Sequence, residues 1–157
     1  MRDLQKKGVE AKQLTLHVSY DTYKPIRSEK IEDHPMHGEE CSIPGETIEA
    51  VTRAKKEKRR VIAVGTTVVR ALESWGKSPQ PPFDKGGREG IFTRLFICPG
   101  YRFQIVDVLL TNFHRPRSTV LVLVSSFAER EFILKAYEEA IRERYRLFSY
   151  GDCMLIL

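Results

Sequence analysis

The stretch DVLLTNFHRPRS, residues 107–118, is an apolar segment that runs directly into a polar loop. The apolar half predicts a buried strand. The loop adds an asparagine, a histidine and two arginines around a proline. Rigid folds carry chemistry on loops at strand ends, and an imidazole there suits hydrogen bonding or proton transfer. We therefore expect His114 to carry function, although the residues taken alone somewhat favour a satisfied structural histidine.

Segments with strand and helix patterns alternate on both sides of this stretch, which predicts an α/β architecture. The predicted helices cover residues 2–8, 46–58, 66–75 and 131–145, and the predicted strands cover residues 14–18, 61–64, 95–98, 103–110 and the C-terminal MLIL. The apolar run after Ser118 fits a strand or a helix capped by that serine, and we favour the helix. No regular element is predicted in the polar segment 19–44, and residues 77–90 predict an exposed loop rich in proline and glycine.

Size and composition bound the fold class but identify no partner. The chain has 157 residues, of which 41% are hydrophobic, so it can form one domain or a large piece of one. A net charge of +5 is compatible with an anionic partner without establishing one. Cys41, Cys98 and Cys153 are too scattered for a disulfide framework or a zinc site, and no apolar run is long enough to span a bilayer. We expect a cytoplasmic protein that does not enter the membrane.

Two short motifs invite a functional interpretation. In VGTT, residues 64–67, backbone N–H groups at a helix start can attract an anion, but the turn lacks the lysine of a P-loop. From composition, a helix cap by Thr66 or Thr67 is the favoured interpretation. In SYGD, residues 149–152, Gly151 predicts a turn with positive φ that aims Asp152 into a crevice.

The other three histidines differ in how well their positions suit a functional role. His34 and His37 have a spacing that could serve a metal ion in a helix, but Pro35 breaks that helix and no further ligand is placed nearby. We therefore expect no metal site. His17 follows a predicted strand, and strand ends in α/β folds commonly line crevices. From the residues alone, a structural role for His17 is somewhat favoured.

Arginines are concentrated near the C-terminal end. Arg115 and Arg117 flank a proline, and Arg142, Arg144 and Arg146 follow at the end of the last long predicted helix. Guanidinium groups can bind phosphates. For the helix arginines, compensation of the helix dipole on a solvated face is the favoured interpretation.

Several motifs together resemble one enzyme family. They are LHV (16–18), KPIRSEKIEDHPMH (24–37), RRVIAVGTT (59–67), VRALES (69–74), CPGY (98–101), VDVLLTNFH (106–114) and RERYRLFSYGD (142–152). With them, the chain resembles the C-terminal part of the S-adenosylmethionine:tRNA ribosyltransferase-isomerases of queuosine biosynthesis. The resemblance implies part of that family's α/β main domain, without the N-terminal half and the inserted β-barrel domain.

The resemblance also implies a reaction. The family transfers and isomerises the ribosyl group of S-adenosylmethionine, a cosubstrate, onto 7-aminomethyl-7-deazaguanine at the wobble position of tRNA, which gives epoxyqueuosine. A base must remove a ribose hydrogen and adenine must leave protonated, so imidazoles and a carboxylate suffice without a metal. The candidate residues are His17, His114 and Asp152 for proton transfer or positioning, Thr66, Thr67, Tyr101 and Asn112 for the cosubstrate or base, and Arg70, Arg115 and Arg117 for the tRNA. Which histidine is the base stays open.

Because the resemblance covers only the C-terminal part of the family, we expect the chain to act only with the N-terminal half, which a separate reading frame could supply. The rival hypothesis is an RNA-binding or assembly module without catalysis. An upstream reading frame for the missing half would favour the enzyme.

Overall fold

The computed structural model describes residues 2–19, 25–77 and 88–157, and the strands within these ranges form two separate sheets. The helices are α1 (Arg2–Lys6), α2 (Gly45–Lys56), α3 (Thr66–Gly76), α4 (Thr119–Phe127) and α5 (Arg130–Arg142). The strands are β1 (Thr15–His17), β2 (Glu39–Ile43), β3 (Ile62–Val64), β4 (Arg88–Thr93), β5 (Val108–Asn112) and β6 (Cys153–Ile156). This alternation is the predicted α/β architecture.

The two sheets differ in strand direction. In the first, with order β1-β2-β4, all described pairs are antiparallel. In the second, with order β3-β5-β6, β3 is parallel to β5 and β6 is antiparallel to it. A parallel pair needs a crossover connection, and α3 lies in the chain between β3 and β5.

The core lies between α3 and the two sheets. Val69, Leu72 and Trp75 recur along α3 at helical spacing and are buried together with Ala63 of β3 and Leu109 of β5. Apolar side chains at this spacing form one stripe of the helix, and burying the stripe stabilises both the helix and the sheet.

The apolar run after Ser118 is a helix, as predicted. The Ser118 hydroxyl accepts a hydrogen bond from the Leu121 backbone N–H at 3.2 Å, so the serine caps α4. The predicted C-terminal strand is also confirmed as β6.

Residues 19–44, to which the sequence analysis assigned no element, contain β2, the central strand of its sheet. Its sequence EECSI hides the strand pattern: Glu39 is 2% exposed and lies on the buried face with Cys41 and Ile43. A charged residue thus occupies a buried position of this strand, so the alternation of polar and apolar residues that predicts a strand is lost. The exposed loop predicted over 77–90 also needs correction, since β4 begins at Arg88, and residues 78–87 lie outside the described ranges.

Residues 95–98, predicted as a strand, are not one, and of the predicted strand 103–110 only residues 108–110 belong to a strand, β5. The backbone N–H groups of Gln104, Ile105 and Val106 donate at 3.0 Å to the Glu73 carboxylate. A buried carboxylate thus takes the place of a neighbouring strand, and β5 begins only at Val108.

The strand predicted at residues 61–64 is present but only half buried. Ile62 is 50% exposed and Val64 is 65% exposed, on the same face as Leu155 of β6 at 57%. Successive side chains of a strand point to opposite faces, and in the described part of the chain the core covers only the face that holds Ala63.

Candidate active site at the carboxyl edge of a sheet

The parallel pairing of β3 and β5 brings three sequence motifs to one edge. Val64 pairs with Leu110, so both strands end at the same edge, and the Gly65 backbone N–H donates to the Leu110 carbonyl at 2.8 Å. The antiparallel strand β6 begins there, because its Cys153 pairs with Asn112. We call this region, which comprises residues 65–67, 111–114 and 149–153, the carboxyl edge. Ligands of α/β folds commonly bind at such an edge.

His114 is held at the carboxyl edge by two elements. Its Nε2 lies 2.8 Å from the Thr111 hydroxyl, and its backbone N–H donates to the Tyr137 hydroxyl of α5 at 2.7 Å. Burial lowers the pKa of the His114 imidazole from 6.5 to about 4. The imidazole is therefore neutral at pH 7, with one nitrogen able to accept a proton.

Asn112 joins the TNFH loop to the SYGD turn. Its side-chain amide donates to the Asp152 carbonyl at 3.1 Å, and the Phe148 backbone N–H donates to the Phe113 carbonyl at 3.1 Å. Asparagine therefore positions the turn, and the structure assigns its amide N–H to the backbone.

Asp152 stabilises the SYGD turn. Its carboxylate accepts from the Arg146 backbone N–H at 2.8 Å and from the guanidinium at 3.2 Å. These hydrogen bonds from Arg146 lower the pKa of Asp152. The predicted reason for Gly151 was wrong: its φ is not positive, but a Cβ would lie 2.3 Å from the Arg146 carbonyl oxygen. Glycine is needed here for close approach of the backbone.

The turn between β3 and α3 lies at the carboxyl edge as well. Gly65 is the N-cap of α3 with φ 98°, which favours glycine, and no side chain caps this helix start. The expected cap by a threonine is therefore absent. Thr66 and Thr67 instead line a narrow cleft beside the start of α4.

Tyr101 does not lie at the carboxyl edge by any described contact. Its hydroxyl donates to the Glu73 carboxylate at 3.1 Å, and burial, followed by the nearby Glu73 charge, raises the pKa of the phenol. The Lys77 ammonium lies 4.1 Å from the centre of its ring. These contacts give Tyr101 a structural explanation within the α3 packing.

Arg70 does not fit the predicted contact with RNA. It is 4% exposed, its Nη1 forms a buried ion pair with Glu39, and its Nε donates to the Leu95 carbonyl at 3.2 Å. An RNA backbone on the surface cannot reach this guanidinium. We therefore no longer consider Arg70 a candidate for contact with tRNA. Arg115 and Arg117 are exposed beside the carboxyl edge, and the Arg115 guanidinium lies 5.2 Å from the centre of the Phe148 ring.

His17 lies in the other sheet, on its exposed face. It pairs with the exposed Glu40, whereas the neighbouring pair, Leu16 and Cys41, turns towards the interior. The described contacts do not bring His17 to the carboxyl edge, so the site contains one of the two candidate histidines.

Buried charged residues were the main features that the sequence analysis missed. Glu39, Arg70 and Glu73 are all at most 4% exposed. A signal existed for two of them, because Arg70 and Glu73 fall beside Val69 and Leu72 on the apolar stripe of α3. A charge within an apolar stripe indicates a buried polar network.

Neither a metal cluster nor a membrane helix is found in the described part of the chain. Within residues 2–19, 25–77 and 88–157, no group of three or more histidine, cysteine or carboxylate side chains could hold a metal ion. No helix in these ranges is long and apolar enough to cross a bilayer.

Comparisons with known proteins agree on one family. A sequence model of the family described as "Queuosine biosynthesis protein" matches residues 1–156. The chain is 52% identical over 157 residues to an S-adenosylmethionine:tRNA ribosyltransferase-isomerase of Sulfurihydrogenibium sp. (strain YO3AOP1), and also 52% identical to that of Aquifex aeolicus (strain VF5). In both cases the match covers 100% of this chain and 44% of the relative.

A solved structure gives the same result for the fold. The crystal structure of S-adenosylmethionine tRNA ribosyltransferase from Thermotoga maritima matches with a TM-score of 0.80 and 40% sequence identity. The match covers 99% of this chain and 48% of that chain. The chain thus spans less than half the length of the relatives and of the solved structure that it matches.

Proposed function

The chain belongs to the queuosine biosynthesis protein family, and from that premise we propose that it contributes the carboxyl edge to a tRNA ribosyltransferase-isomerase. The proposed reaction transfers and isomerises the ribosyl group of S-adenosylmethionine onto 7-aminomethyl-7-deazaguanine in tRNA and gives epoxyqueuosine. The proposal concerns the activity of the whole enzyme. This chain spans 44% of the length of the relative from Sulfurihydrogenibium. We propose the cytoplasm as the site of action.

The observation that carries the proposal is the convergence of the VGTT, TNFH and SYGD motifs at the carboxyl edge, with a neutral imidazole among them. The sulfonium of S-adenosylmethionine acidifies the ribose C5′ hydrogen, and a neutral imidazole can accept it. We assign this role to His114, because His17 lies on the exposed face of the other sheet.

The low pKa of His114 determines how well it can act as a base and as an acid. An imidazole with a pKa of about 4 is a weak base, so it needs an acidified hydrogen. Once protonated, the same imidazole is a strong acid and readily gives its proton to the departing adenine. Asp152 and Asn112 position the loop around it through the hydrogen bonds described above, while Thr66 and Thr67 face the cosubstrate. Arg115 and Arg117 lie where they can meet tRNA phosphates.

The test joins this chain to the N-terminal part of the Aquifex aeolicus relative and supplies tRNA carrying the aminomethyl-deazaguanine base with S-adenosylmethionine. Mass spectrometry should find epoxyqueuosine in the tRNA and released adenine. His114→Ala should lower turnover by roughly a hundredfold or more if the imidazole transfers the proton. His17→Ala is the matched control and should keep near-normal turnover.

An inactive joined protein, beside an active intact relative, would refute the proposed function. If that inactive protein still binds tRNA, the result would favour the rival hypothesis of a non-catalytic RNA-binding module. Residues 1–157 by themselves should give no multiple turnovers, since they span only 44% of the length of the relatives. Multiple turnovers by the chain alone would contradict that expectation.

A further inference from the structure

Arg70 carries a hydrogen-bond donor that no described residue satisfies. Its Nη1 and Nε are engaged with Glu39 and with the Leu95 carbonyl, whereas Nη2 is buried and has no partner within the described ranges. A buried donor without a partner is costly, and a guanidinium has no acceptor role that could replace the missing bond. We therefore expect Nη2 to donate a hydrogen bond to an acceptor from outside the described residues.

The Arg70 side chain lines the narrow cleft introduced above, which we call the Arg70 cleft. Its polar wall consists of Arg70 with the first turns of α3 and α4, through Thr66, Thr67 and Thr119. The N-terminus of a helix carries partial positive charge, and two helices begin here. Together with the guanidinium donor, the two helix starts favour a negatively charged acceptor.

The shape of the Arg70 cleft limits what can enter. Its enclosed volume is about 10 Å³, which is about the room of one water molecule. Met36, Phe96 and Leu123 form apolar walls around it. A single oxygen atom of a flat group can therefore fit into the cleft while the rest of the ligand lies outside. A bulkier phosphodiester of RNA cannot, because Arg70 is only 4% exposed.

We propose that the Arg70 cleft binds the carboxylate of a small molecule, with Nη2 donating to one carboxylate oxygen. Resting on the proposed function, the ligand is the methionyl carboxylate of S-adenosylmethionine, and the rest of the cosubstrate lies outside the cleft. Glu39 is a positioning residue: its ion pair with Nη1 fixes the guanidinium at the wall of the cleft.

Comparing the affinities of two nucleosides distinguishes the carboxylate contact from the rest of cosubstrate binding. S-adenosylhomocysteine and 5′-methylthioadenosine share the adenosine and the sulfur, but only the first carries a carboxylate. By titration calorimetry, the chain should bind S-adenosylhomocysteine roughly 10- to 100-fold more tightly, as expected for one hydrogen bond to a charged group. Arg70→Lys keeps a cation beside Glu39 but removes Nη2, so it should abolish the preference and leave the affinity for 5′-methylthioadenosine unchanged. Arg53→Lys, on the exposed face of α2, is the control and should keep the preference.

A second measurement needs no variant to fold. The Nε–H of Arg70 is bonded to the Leu95 carbonyl, so its NMR signal reports on the guanidinium of the wild-type chain. That signal should shift with S-adenosylhomocysteine and stay in place with 5′-methylthioadenosine. Inorganic phosphate shifting it as strongly as S-adenosylhomocysteine would overturn the assignment to a carboxylate.

Other outcomes are equally decisive. Equal affinity for both nucleosides would overturn the inference and mean that only an internal water meets Nη2, while the proposed function would stand. Equal loss of both affinities in Arg70→Lys would reduce Arg70 to a structural role. Binding of neither nucleoside would overturn the inference and count against cosubstrate binding by this chain.

Discussion

Burial of the His114 imidazole should make the stability of the protein depend on pH. The pKa of His114 falls from 6.5 to about 4 in the folded chain, so the unfolded state binds more protons between these values. Stability is therefore fully present above about pH 6.5 and is lost as the pH falls towards about 4. From the two pKa values, lowering the pH from about 7.5 to about 5 should cost about 2 kcal/mol through this one group.

The assay compares urea unfolding of the wild-type chain and of His114→Gln at these two pH values, followed by circular dichroism. Glutamine can place an amide near Nε2 and keep the contact with Thr111, but it does not titrate. The variant should lose about 2 kcal/mol less than the wild-type chain on acidification. His17→Gln, at an exposed position, should behave like the wild type. If wild type and His114→Gln lose the same stability, the imidazole is not held neutral by burial, and our argument for it as a proton acceptor at neutral pH fails.

Three other predictions follow from single features. Glu73→Gln places an amide against backbone donors and should lower the free energy of unfolding by about 2 to 4 kcal/mol, whereas the exposed Glu49→Gln should change it by less than about 0.5 kcal/mol in the same urea assay. Arg115→Gln and Arg117→Gln should each reduce the slope of log binding constant against log salt for tRNA by about 0.7 in filter binding, and an unchanged slope would remove that residue from the interface. The exposed apolar face of β3 and β6 should make the chain self-associate in sedimentation velocity, and Val64→Lys on that face should decrease the association; equal association would show that another surface is responsible.

The sequence was most informative where pattern and burial coincide. The helix after Ser118 was predicted from an apolar run with a capping serine, and the structure confirms both features. The α3 stripe of Val69, Leu72 and Trp75 likewise follows helical spacing and is buried. Such elements are encoded locally, because their side chains and caps lie within a few residues of one another.

The sequence failed where burial is polar. β2 was missed because Glu39 lies on its buried face. The strand predicted over residues 103–110 begins only at Val108, because Glu73 accepts hydrogen bonds from the backbone N–H groups of residues 104–106. Each carboxylate is neutralised or satisfied by partners that are distant in the chain, such as Arg70 for Glu39. No local pattern reports on such a partner.

By itself, the sequence determined the family, the alternation of helices and strands, and the motifs that carry chemical groups. Only the tertiary structure decided which of these groups meet. Parallel pairing of β3 with β5 brings the VGTT turn to His114, and the pairing of β6 with β5 adds Asp152, although the chain separates these motifs widely. The same pairing leaves His17 on another sheet, and packing of α3 buries Arg70, which its charge alone suggested to be exposed. Strand pairing and burial are long-range properties, because each depends on the free energy of contacts between residues that are neighbours only in the folded chain.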